Sequence, residues 1–176
     1  MKITFGLELL TELWSEIDPL LVAHYEELAR FKDIPLAPDK AAYATVENIG
    51  MLRTYTVRDD GVLVGYAIFF LRQALHYSTS LQASQDVLFI SPAHRGRKTG
   101  LEFLTWCDEQ LRVEGVQVVY HHVKVDPALD FGPLLIRLGY EQIDAIYGKR
   151  LDGSDRNCSP CVGGSGLLSG RSSLEG

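Results

Sequence analysis

Asp86-Val87-Leu88-Phe89-Ile90-Ser91-Pro92-Ala93-His94-Arg95-Gly96-Arg97-Lys98-Thr99-Gly100-Leu101 is the stretch on which the reading of this chain turns. An apolar strand-like run ends at Ser91-Pro92, a basic glycine-containing loop follows, and the pattern from Gly96 to about Glu114 is helical. A helix N-terminus presents unpaired N–H groups and about half a positive charge, and glycine lets a backbone approach a phosphate closely. Arg95, Arg97 and Lys98 place three cations within four residues. Strand, tight turn and helix start together describe an anion site that suits a diphosphate. A solvated basic turn that merely starts a helix stays open as the alternative on these residues alone. Neither G-x-x-x-x-G-K-[ST] nor G-x-G-x-x-G occurs in the chain, which excludes the two familiar nucleotide loops.

Working outward, Leu101, Leu104, Cys107 or Asp108, and Leu111 are spaced for one buried helical face, and Gly115 ends the helix. Val116 to Val125 reads as a β-branched strand. A short helix is expected from about Leu129 to Leu138, closed by Gly139, and Tyr140 to Leu151 reads as one long or two short final strands. Upstream, a strand from about Gln85 to Ile90 follows a hairpin, Leu52 to Arg58 and Val62 to Leu71, turned by Asp59-Asp60-Gly61. Asp39 caps a short helix reaching Asn48 and ended by Gly50, after a loop over Lys32 to Pro38. Leu7 to about Arg30 is helical, and Pro19 predicts two pieces rather than one. Lys2 to Phe5 forms a short first strand. The order β-α-α-β-β-β-α-β-α-β(-β) is that of a mixed α/β domain.

The chain has 176 residues, 46% of them hydrophobic and 23% charged, which predicts one globular domain over residues 1–151. Residues 152–176 are rich in Gly and Ser without periodicity and predict a flexible tail. A net charge of −6 offers no basic field for nucleic acid or an anionic membrane. No apolar run approaches the ~20 residues of a membrane span. The first residues lack a signal-peptide pattern, so a cytoplasmic location is expected. Three cysteines make no disulfide framework. Cys158-Ser159-Pro160-Cys161 lacks the second pair that zinc needs, so no metal site is expected, and Cys107, Trp14 and Trp106 read as packing.

Ile90-Ser91-Pro92-Ala93-His94-Arg95-Gly96-Arg97-Lys98-Thr99-Gly100 resembles the acetyl-CoA-binding loop of the GNAT superfamily of N-acetyltransferases, V-x-P-x-x-R-G-x-G-x-G. Lys98 stands where that family usually has glycine. Gly65-Tyr66-Ala67, Arg137-Leu138-Gly139-Tyr140 and Tyr147-Gly148-Lys149-Arg150-Leu151 are similar to further family segments in the same order. Tyr120-His121-His122-Val123-Lys124 with Gly132-Pro133-Leu134-Leu135 resembles phage and prophage members.

The resemblance implies a largely antiparallel twisted sheet flanked by helices, with acetyl-CoA as cosubstrate and an amine as acceptor. A homodimer is also within what the resemblance allows. Phe89 and Ile90 would pair their backbone with the pantetheine arm, and Arg95, Gly96, Arg97, Lys98, Thr99 and Gly100 would wrap the diphosphate. Ser84, Asp86, Leu88 and Ile90 alternate onto one strand face, where relatives place a carboxylate base. Asp86 is the first candidate, against a plain ion-paired strand residue. His121 and His122 point to opposite faces, so at most one of them faces a cleft. The tyrosine that usually protonates the thiolate aligns with Leu135 and the usual asparagine with Ala128, which leaves Tyr147, Tyr120 or solvent as the acid. Two other readings stay open: a module that binds acetyl-CoA without turnover, and a loop that holds another phosphorylated ligand.

Overall fold

Asp60 and Gly61 sit at φ of 48° and 87°, the left-handed backbone that a two-residue hairpin turn demands. They join β2 (Leu52–Asp59) to β3 (Val62–Ala74), and β3 continues through a second, longer hairpin into β4 (Tyr77–Ile90). β1 (Ile3–Glu8) and β5 (Val118–Tyr120) complete one five-stranded sheet in the order β1-β2-β3-β4-β5. All neighbours are antiparallel except β4 and β5, which are parallel. The helices are α1 (Leu10–Leu28), α2 (Lys40–Asn48), α3 (Thr99–Val113) and α4 (Gly132–Arg137). The computed structural model describes residues 2–96, 98–126 and 130–152.

Each face of the sheet carries its own core. Tyr55, Val57, Ala67 and Phe69 pack with Phe103, Cys107 and Leu111 of α3. On the other face Leu52, Tyr66, Ile68 and Phe89 pack with Leu10, Leu13 and Ile17 of α1. Among the described residues no helix is long and apolar enough to cross a membrane.

Several local expectations meet the structure directly. Asp39 caps α2, its carboxylate accepting from the Ala42 N–H at 2.9 Å, and Gly115 follows α3 at φ 88°. Cys107 is fully buried. Others need correction. Pro19 lies inside one continuous α1 instead of dividing two helices. Proline in a helix interior costs about 3 kcal/mol, and here Leu10, Leu13 and Ile17 before it, with Leu20 and Leu21 after it, bury one common face that offsets the loss. β3 runs on past Leu71 to Ala74 and β4 begins at Tyr77, ahead of the start expected near Gln85, with Arg72 opposite Gln82 and Gln73 opposite Leu81. β5 is three residues long rather than ten, because its pairing with β4 stops early.

The chain divides into two units, Met1–Glu141 and a second beginning at Gln142. The final strands expected over residues 140–151 do not form: no helix or strand is present over residues 140–152. Residues beyond Asp152, including Cys158 and Cys161, lie outside the described residues.

Candidate active site

β4 and β5 run together only through Gln82–Val118, Ala83–Val119 and Ser84–Tyr120. Past that point β4 continues to Ile90 with its β5-side edge unpaired in the sheet. A bulge sits where the strands part: Phe69 opposes Gln85 and Ile68 opposes Val87, so Asp86 is the extra residue. The bulge breaks the alternation that placed Ser84, Asp86, Leu88 and Ile90 on one face. Leu88 and Ile90 pack toward α3, whereas Asp86 meets Tyr43 of α2, and Val87 and Phe89 join the α1 core. The parted strands, α1, α3 and the 29–38 connection enclose a cleft of about 950 Å³.

At one end of the cleft lies the basic turn. Ser91 N–H donates to the Val64 carbonyl at 2.8 Å, and the His94 ring bridges Ser91 Oγ (2.8 Å) and Asp59 Oδ2 (3.2 Å). These contacts tie the turn to the β2–β3 hairpin. Gly65 permits the approach, since a Cβ there would stand 2.8 Å from the Phe89 carbonyl oxygen. Gly96 has φ 73°, a conformation that strains any side chain. α3 then starts after Lys98 with no side-chain cap, which leaves its first N–H groups for an anion. Gly96, Lys98 and Gly100 line the cleft with Lys124 and Arg137; Thr99 is buried, and Arg97 lies outside the described residues.

Arg95 is engaged differently from the expectation. Its guanidinium meets both Glu27 carboxylate oxygens, at 2.5 and 2.8 Å, and its Nε donates to the Ile90 carbonyl at 2.6 Å. It stands over the Phe89 ring, with Cζ 5.2 Å from the centroid, and His24 stacks on the same ring at 5.2 Å. The Arg95 bond holds the Glu27 carboxyl below its usual range. Burial, helped by Lys124 and Arg95, pushes the His24 imidazole down to about 4, although Glu27 pulls the other way.

Toward α2 the cleft changes character. Asp86 Oδ2 accepts the Tyr43 phenol at 2.5 Å, and Tyr43 stands edge-on to Trp14 and parallel to Phe70. Burial first, then the Asp86 contact, raises the Tyr43 pKa. Tyr66, fully buried on β3, lines the same space, and its hydroxyl has no hydrogen-bond partner among the described residues.

The acetyltransferase (GNAT) family model matches residues 10–131. The chain belongs to the GNAT acetyltransferase family. As a member it is an acetyl-CoA-dependent N-acetyltransferase. A ribosomal-protein-alanine N-acetyltransferase from Brucella melitensis superposes with TM-score 0.65 at 17% identity, covering 85% of this chain and 99% of that one. An aminoglycoside acetyltransferase from an uncultured soil metagenomic sample gives TM-score 0.68 at 13% identity, covering 86% and 99%. A predicted acetyltransferase with acetyl-CoA from Clostridium acetobutylicum gives 0.62 at 11%, covering 85% and 97%. At such identities the likeness is one of fold, the GNAT fold with its mixed, mostly antiparallel sheet. No curated protein matches the chain at a significant level.

Within this GNAT fold the candidate catalytic residues separate. Asp86 and His122 both line the cleft, with His122 Nε2 3.4 Å from Ser84 Oγ. His121 is absent from the lining and lies among Phe69, Phe131 and Tyr140, its ring 2.6 Å from Gln85 Oε1 and 3.3 Å from the Tyr140 hydroxyl. Tyr140 in turn donates to Asp108 at 2.5 Å. Burial and then His122 push the His121 imidazole down to about 4. Tyr147 belongs to the second unit and is 93% exposed. Leu135 is buried, and Ala128 lies outside the described residues.

Sequence reasoning did not single out Glu27, Tyr43, Tyr66 or His24 for this cleft. A tyrosine at the centre of an apolar strand such as Val64-Gly65-Tyr66-Ala67-Ile68 is the one such signal in the sequence, since a buried hydroxyl normally demands a partner. Among the described residues no three His, Cys, Asp or Glu side chains gather as a metal site.

Proposed function

We propose that this cleft transfers an acetyl group from acetyl-CoA to a primary amine by direct attack of the neutral nitrogen. The observation that carries the reading is the parting of β4 from β5 after Ser84 and Tyr120, with a bulge at Asp86. An extended, amide-bearing arm needs a strand edge not paired in the sheet, and β4 past Ser84 has one around Phe89 and Ile90, where Arg95 now holds the Ile90 carbonyl. The backbone of Gly96, Lys98, Thr99 and Gly100 would hold the diphosphate at the start of α3, with Lys98, Lys124 and Arg137 adding positive charge. Arg97 belongs to the same run of sequence. Acetyl-CoA, when bound, supplies an acyl carbon activated by its thioester.

Asp86 is the proposed base, taking the ammonium proton directly or through a water. The Tyr43 bond occupies one carboxylate oxygen and orients the group. His122 is the second candidate in the cleft. The nitrogen forms the new C–N bond as the C–S bond breaks, and the departing sulfur takes a proton. Buried Leu135 has no proton to give, so solvent or a hydroxyl elsewhere supplies it. The finer likeness to phage and prophage members rests on residues 120–124 and 132–135 alone.

A thermal-shift titration combined with free-thiol detection tests the reading. The unfolding midpoint is expected to rise with acetyl-CoA concentration, and thiol release is expected only when an amine is present. A shift with a nucleotide but none with acetyl-CoA or CoA would overturn it.

A further inference from the structure

The cleft divides by chemistry. Its α3 end carries Lys98, Lys124 and Arg137, whereas the part reached by α2 is walled by aromatic and aliphatic groups. Trp14 and Tyr43 form one wall, at 5.7 Å between rings. The connection over residues 29–38 forms the other, with Phe31, Ile34 and Leu36 left 41%, 50% and 38% exposed while lining the cleft. Tyr25 pins this strap, its hydroxyl placed 2.9 Å from the Lys32 carbonyl and 2.6 Å from the Ile34 carbonyl.

Two polar groups stand out in that apolar space. The Asp86 carboxylate takes a hydrogen bond from Tyr43, and the buried Tyr66 hydroxyl is without a partner among the described residues. A buried hydroxyl in that state is completed by a water or a ligand. Outside the cleft lining, Trp14 already meets one ammonium: Lys40 Nζ lies 4.7 Å from its ring centroid and 2.8 Å from Asp18. An aromatic face beside a carboxylate attracts such a cation.

We infer that the acceptor is a primary amine on an apolar body, an arylalkyl or alkyl amine. Its body lies between the 31–38 strap and the Trp14–Tyr43 wall, with its nitrogen at Asp86 and the Tyr66 hydroxyl. The inference rests on the acetyl-transfer reading of the same cleft. A polyhydroxylated, polycationic acceptor is disfavoured, because each hydroxyl set against Phe31, Ile34 or Leu36 loses water without gaining a partner.

The test is calorimetric titration of the full-length protein with phenethylamine, ethanolamine, 2-phenylethanol and kanamycin, with no cosubstrate present. Phenethylamine is expected to bind about tenfold more tightly than any of the other three, since ethanolamine and kanamycin lack the apolar body and 2-phenylethanol lacks the charge. Tyr66→Phe keeps the ring and is expected to fold normally, yet to weaken phenethylamine about fivefold. Leu36→Ala, on the exposed strap, is expected to weaken it by a similar factor and to leave ethanolamine unchanged. Ethanolamine or kanamycin binding as tightly as phenethylamine overturns the inference, as does failure of phenethylamine to bind. If acetyl-CoA shifts the midpoint but the amines are not distinguished, the substrate class fails and acetyl transfer stands. If the amines are distinguished but acetyl-CoA has no effect, the amine pocket stands and the transfer reading falls.

Discussion

Arg95 and Glu27 bridge the two walls of the cleft, the basic turn on one side and α1 on the other, and Arg95 also occupies the Ile90 carbonyl. The cation expected to serve the diphosphate is thus held by a carboxylate. Glu27→Gln is expected to release it and tighten CoA binding by about three- to tenfold at low salt, the range of a partly exposed ion pair. Arg95→Ala leaves the Glu27 charge beside the anion site and is expected to weaken CoA by about tenfold. Calorimetric affinities of the two variants moving in the same direction would contradict this arrangement.

Asp86 is expected to matter for turnover and not for cofactor affinity. Asp86→Asn should lower kcat by roughly a hundredfold, within the usual range for a lost general base, while CoA affinity stays near wild type. Tyr43→Phe removes the bond that orients the carboxylate and should cost less. Steady-state kinetics beside CoA titration separate the two effects, and unchanged turnover in Asp86→Asn removes Asp86 from the mechanism.

Stability should fall on mild acidification. His24 and His121 are each pushed down to about 4 from an ordinary 6.5, chiefly by burial. Their unfolded forms therefore bind protons before the folded forms do. Stability is fully present above pH 6.5 and is lost as pH falls from there toward 4, at up to about 1.4 kcal/mol per pH unit for each histidine. Urea unfolding between pH 7 and pH 4.5 measures the slope, and a flat profile would show that neither imidazole stays neutral in the fold.

Gly65→Ala should loosen the strand that carries the site. The added Cβ would meet the Phe89 carbonyl oxygen at 2.8 Å and the Ile90 Cα at 3.1 Å, so the end of β4 must move. A loss of about 1–3 kcal/mol is expected, the usual cost of overpacking, together with weaker CoA binding. Denaturant midpoints and a CoA titration of the same variant check both.

The parts legible in the sequence share one property: their cause lies within a few residues. The turn at Asp60-Gly61, the Asp39 cap, the stop at Gly115 and the basic loop after Ile90 each follow from backbone conformations or cap bonds made locally. Pro19 misled because its local penalty competes with burial of Leu10, Leu13 and Ile17 on the sheet, and burial prevails. The alternation over Ser84 to Ile90 misled because one unpaired residue, Asp86, turns the side chains after it to the other face. Nothing in a two-residue period marks where such an insertion falls.

Sequence alone determined the order of strands and helices as far as α4, the family resemblance and the position of the basic loop, since all of these are written in short-range pattern. Tertiary structure decided what the cleft is made of. Tyr43 reaches Asp86 across 43 positions and Glu27 reaches Arg95 across 68, contacts that exist only because sheet and helices pack as they do. The same packing set His121 among aromatic rings and His122 at the cleft wall, which no single strand could specify. A side chain's chemistry is set by what surrounds it, and in this protein those surroundings come from distant parts of the chain.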